Sequence, residues 1–150
     1  MIDWLLSTLH FLLAFTLVAM LAIQSALIKP GITTSGVRLA ANVDRVYGAS
    51  AVLLLGVGFA RVFWGTKGSL FYLSNPLFWA KIGLFMTVAI LSIPPTLRLI
   101  QWGRQIHAQP EFRPSEEQVR RLQWWLRGEV IVLMFVPFPA AAMARGFGLP

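Results

Sequence analysis

The chain contains no cysteine, and among its 150 positions are only two histidines, two tyrosines and six acidic residues. Without a thiol there can be no disulfide framework, no thiolate nucleophile and no sulfur metal site. No HExxH motif and no pair of carboxylates accompanies a histidine, so a conventional metal site is not expected. There is no internal repeat, no low-complexity tract and no composition shift that would mark a second domain. No basic stripe interleaved with aromatics appears, so the net charge of +7 does not read as nucleic-acid binding. The first apolar run follows Asp3 rather than a basic segment and is long, so it is expected to stay in the chain as a span.

What is present is hydrocarbon. Hydrophobic residues are 57% of the chain against 13% charged, with a mean hydropathy of +0.68. Four apolar runs reach the roughly 18 residues that cross a bilayer, at about 4–28, 41–64, 77–102 and 119–145. Only helices or closed barrels satisfy their backbone in lipid, and these runs have helix length. The expectation is an all-α, integral membrane four-helix bundle forming a single transmembrane domain over 1–150.

The cations set an orientation. Lys29, Arg38, Arg45, Arg98, Arg104, Arg113, Arg120, Arg121 and Arg127 flank one side, and Arg61, Lys67, Lys81 and Arg145 the other. The richer side is expected in the cytoplasm, which puts both termini on the periplasmic side of a bacterial inner membrane.

Ionisable residues inside spans cost about 2.5–3.5 kcal/mol each at mid-helix, so each is a functional candidate. At about 1.5 Å per residue, His10, Lys81 and Arg61 lie roughly 9, 6 and 4.5 Å below the outer surface. They belong to three different spans and share faces with small or polar residues, as inward-facing positions do. Asp44, Arg45, Arg98 and Glu129 form a second group near the inner surface, where Glu129 is expected to pair with Arg45 or Arg98. The Pro94-Pro95 and Pro137/Pro139 positions are expected to kink their helices, or to free a carbonyl that lines a cavity. Gly48, Ala51, Gly56 and Gly58 suggest close helix packing, and through it a homodimer. Trp64, Trp79, Trp102, Trp124 and Trp125 read as interface markers, together with Phe71 and Tyr72. Met20, Met86, Met134 and Met143 read as core filler.

Three uses of His10 remain open. It can hydrogen-bond across helices, pass protons, or ligate the iron of a haem whose propionates meet cations.

The LH dipeptide, FYLSNPLFWAK, SIPPTLR and RRLQWWLRGE together resemble a family of small bacterial four-helix membrane proteins of uncharacterised activity. The likeness covers nearly the whole chain. A more distant one, to the HemJ-type protoporphyrinogen oxidases, rests on the early LH, on a lysine opening span three and on an Arg- and Trp-containing entry to span four. That resemblance implies haem b, with His10 as its metal ligand and Lys81 as the functional lysine; in the haem reading of the residues, Arg61 and Lys81 are the cofactor-binding groups that meet the propionates. It also implies Lys81 and Glu129 in catalysis, porphyrin as substrate and quinone as a possible electron acceptor. Where that family typically has a histidine two positions before the lysine, this chain has Trp79, which removes bis-histidine ligation within one chain. The competing expectation is a non-enzymatic membrane protein in which His10, Arg61 and Lys81 form a structural, proton or anion network.

Overall fold

A computed structural model describes residues 2–65 and 68–148. Lys67, used above for orientation, lies outside the described residues. The chain runs α1 (Ile2–Leu27), α2 (Thr34–Trp64), α3 (Gly68–Leu73), α4 (Pro76–Ala108), α5 (Glu116–Phe135) and α6 (Pro137–Ala144). Among the described residues four segments are long and apolar enough to span a membrane, with α5 and α6 making up the fourth.

The helices outrun the apolar stretches because local chemistry, rather than hydropathy, sets their ends. Thr33 caps α2, which starts seven residues before its apolar run, its hydroxyl accepting from Gly36 N–H at 3.1 Å. Ser115 and Gln118 form a reciprocal capping box at the start of α5. Asn75 caps α4 by accepting from Leu77 N–H at 2.9 Å, and Pro76 follows where a missing N–H costs nothing. The Asn75 amide also donates to Phe147 C=O at 2.9 Å, tying the end of the chain to the mouth of α4. Trp79 donates to Leu73 C=O at 3.0 Å, so the NPLFW run holds α3, α4 and the tail together.

The four long segments form a ring. α1 packs on α2, α2 on α4, α4 on α5, and α5 back on α1. At one end Gln123 of α5 donates to Ile28 C=O at 2.9 Å, closing α1 against α5. At the other end the ring is open. Pro137 has no N–H to give, Val136 N–H turns to Leu133 C=O at 3.2 Å, and α6 begins there. No Cα of α6 comes within 8 Å of α1. By contrast α4 continues as one helix through Pro94 and Pro95, so no break occurs there.

Two apolar clusters result. The larger surrounds Leu17, Leu21, Tyr47, Leu99, Trp102, Leu122 and Leu126, and the smaller joins Val62, Tyr72, Phe78 and Met143. Trp102 is only 1% exposed, so it is a core residue and not the interface marker its sequence position suggested. Tyr72 is likewise buried, whereas Met86 and Met134 are exposed on the outer surface rather than filling the core. Large apolar side chains such as Phe15, Val52 and Phe63 cover that surface, as lipid contact requires.

Candidate functional site

A cavity of about 670 Å³ lies between the two apolar clusters at the open end of the ring. His10 of α1, Arg61 of α2 and Lys81 of α4 all line it. Phe11, Phe15, Phe59, Phe78 and Phe85 contribute to its walls, and α6 adds Met143. The size falls within the usual range of about 300–1,000 Å³ for small-molecule sites. Among the described residues, no Asp or Glu lines this cavity.

Local sequence places each polar group. Ala14 and Leu17 follow His10 one and two turns later on the same face, and that face turns into the bundle. Gly58 of α2 faces the imidazole: a Cβ there would stand 3.6 Å from Cε1 and 3.9 Å from Nδ1. One glycine of the GxG pair therefore seats the ring, whereas Gly48 and Gly56 have nothing within 4 Å and make no close helix contact. Lys81 lies one turn past Phe78 and holds its ammonium 5.5 Å from that ring. Two cations facing the same unlined-by-acid space, with an imidazole beside them, create a positive field in a low-dielectric wall.

His10 Nδ1 and Arg61 Nε are enclosed and have no hydrogen-bond partner. A buried polar atom left unpaired costs about 1–3 kcal/mol, so a self-contained structural network would be expected to pair them. The arrangement can accept an anion, and its donor set fits haem b in kind: one imidazole, one thioether and two cations on apolar walls. A metal-bound imidazole commonly gives its second N–H to an acceptor, and His10 Nδ1 has none. Among the described residues no three His, Cys, Asp or Glu side chains gather as a metal site.

Glu129 does not join Lys81 at the cavity: it is absent from the lining and is buried elsewhere, 1% exposed. The expected ion pair to Arg45 or Arg98 is not made either. Arg45 donates to Asn42 and Arg98 to Gln101, each on its own helix at the surface. With Asp44 pointing inward, Arg45 is rotated about 100° away from it. Asp44 instead accepts from Gln24 Nε2 at 2.9 Å and from Thr96 Oγ1 at 3.0 Å. Gln24 and Thr96 were not singled out as partners by sequence. A lone glutamine in hydrocarbon and a threonine after two prolines were the available signals.

The architecture is that of an all-helical integral membrane protein with a cationic cavity at one end. The chain belongs to the family described as predicted membrane protein (DUF2214), whose model matches residues 2–148. No curated protein and no solved structure matches it significantly.

Proposed function

We propose that the protein is a membrane-embedded receptor for an anionic amphiphile, and that haem b is the ligand able to use all three polar groups at once. The observation that carries this reading is the convergence of His10, Arg61 and Lys81 on one apolar-walled cavity. Arg61 and Lys81 would hold carboxylates, Phe11, Phe15 and Phe85 would cover the apolar body, and His10 would ligate the iron. When bound, haem supplies one-electron redox chemistry at its iron. The protein's own part is to exclude water and to fix the carboxylates beside the imidazole. A porphyrin-oxidising role, with a quinone as acceptor, follows from this reading and from the resemblance noted above.

The gap between α1 and α6 supports entry sideways from lipid, the phase in which such ligands reside. One chain supplies the whole lining, so the reading does not require a homodimer. The positive-inside count would place the cavity in the periplasmic leaflet of a bacterial inner membrane, with both termini on that side.

Purification from haem-replete cells, followed by absorption spectroscopy, tests the proposal. Wild type is expected to show a Soret band and His10→Ala to lack it. Arg61→Gln and Lys81→Met should keep the band but weaken haem affinity by about 10–100-fold, the scale of one charge-assisted hydrogen bond. A colourless wild type that also fails to take up added haemin removes haem. If mass spectrometry then finds no bound acidic lipid, the receptor reading falls as well.

A further inference from the structure

At the closed end of the ring a groove of about 340 Å³ lies at the seam between α1 and α5. It opens to the outer surface, where Arg127 and Ile131 are exposed. Its walls are mostly apolar: Leu126 is buried, and Val130 and Ile131 carry the lining a turn further along α5. α1 contributes only Ser25, whose hydroxyl folds back to donate to Leu21 C=O at 2.8 Å and so leaves the space free. Gln123 borders the groove while tied to Ile28 C=O. Among the described residues, Arg127 is the only charge on the lining. We propose that this groove binds an anionic phospholipid of the surrounding leaflet, with its phosphate on Arg127 and an acyl chain along Leu126, Val130 and Ile131. The site is separate from the cavity at the open end, with which it shares no residue.

Arg127 carries the argument. Arg120 and Arg121 on the same helix each meet a glutamate one turn earlier, Glu116 at 3.4 Å and Glu117 at 3.6 Å. The residue one turn before Arg127 is Gln123, whose amide is already committed to Ile28. Among the described residues Arg127 has neither an ion pair nor a hydrogen bond. Its guanidinium instead stands 5.5 Å from the centroid of the Trp124 ring. Trp124 is 71% exposed, so the couple faces outward and not into the bundle. Tryptophan settles at the headgroup level, and an arginine three residues deeper turns its charge back towards that level. Resting on the indole, the guanidinium keeps its edge N–H groups free for a bidentate phosphate contact.

Charge selects the headgroup. Of the six acidic residues, Asp3 lies at the open end, Asp44 and Glu129 are buried, and Glu116 and Glu117 are paired. Glu111 is the one acid left against the cations of this end. An anionic headgroup meets that excess directly, whereas a zwitterionic one brings a cation of its own. The apolar walls below Arg127 select an anion that carries hydrocarbon. Basic pockets between spanning helices bind acidic headgroups in this way.

The test is native mass spectrometry of the full chain released from mixed micelles containing equimolar phosphatidylglycerol and phosphatidylcholine with identical acyl chains. Wild type should retain phosphatidylglycerol about fivefold or more over phosphatidylcholine, the scale of one cation beside an anionic surface. Arg127→Gln should remove that preference. Ser25→Phe, which fills the groove and leaves the charge, should lower retention of both lipids. Arg120→Gln, on the same helix but away from the groove, should behave as wild type. If Arg127→Gln does not fold, Ser25→Phe decides the matter. Equal retention of the two lipids by wild type overturns the site, as does a preference that survives Arg127→Gln. A preference lost in Arg61→Gln but kept in Arg127→Gln also overturns it, because the lipid then occupies the open-end cavity. Equimolar inorganic phosphate should not displace the lipid; if it does, the acyl chain contributes nothing and the lipid assignment falls.

Discussion

His10 is usable because residue 58 carries no bulky side chain. A methyl at that position would meet the imidazole at ordinary van der Waals distance, 3.6 Å. Gly58→Ala should therefore leave ligand affinity within about threefold of wild type, whereas Gly58→Val should push the ring aside and abolish binding. Titration of purified variants with haemin checks both. Glu129 is buried, and its neighbour is Tyr47 rather than a cation. The sequence placed it near arginines, but neighbours on a helix point about 100° apart, and the arginines went outward.

At the scale of elements, caps decide where the helices begin. Asn75 is fully buried and serves both the α4 N-terminus and the Phe147 carbonyl. Asn75→Ala should destabilise the protein by about 1–3 kcal/mol and free the C-terminal tail, measurable by denaturation and by protease sensitivity after Ala144. Ser115→Ala removes an exposed cap and should cost only about 1 kcal/mol in the same assay. Pro137 is a different kind of element boundary. Its missing N–H interrupts the hydrogen-bond ladder between α5 and α6, and α6 has no Cα within 8 Å of α1.

For the whole molecule, a ring closed at one end and open at the other separates polar groups of opposite character. The open end is cationic and borders a cavity; the interior of the closed end holds the buried Asp44. If ligand enters between α1 and α6, joining those helices must block it. The chain has no cysteine of its own, so the pair Phe11→Cys and Ala144→Cys can be bridged selectively with a bismaleimide. Bridging before haemin addition should slow uptake at least tenfold, and bridging afterwards should trap the ligand. Uptake at the unbridged rate would place the entrance elsewhere.

Hydropathy and length alone determined that the chain crosses a membrane as four helices, because no other backbone survives in lipid without water. The cap at Ser115, ahead of Glu116 and Glu117, was also legible, since its chemistry is local. The meeting of His10, Arg61 and Lys81 could be anticipated from depth and helix face, each of which depends on residues within one span. Only the tertiary structure decided that Glu129 stands apart from Lys81, that Gln24 and Thr96 hold Asp44, and that Trp102 is core. Those outcomes depend on which helices adjoin around the ring and how each is rotated against its neighbours. Side-chain packing sets both, and no spacing along a single helix records it.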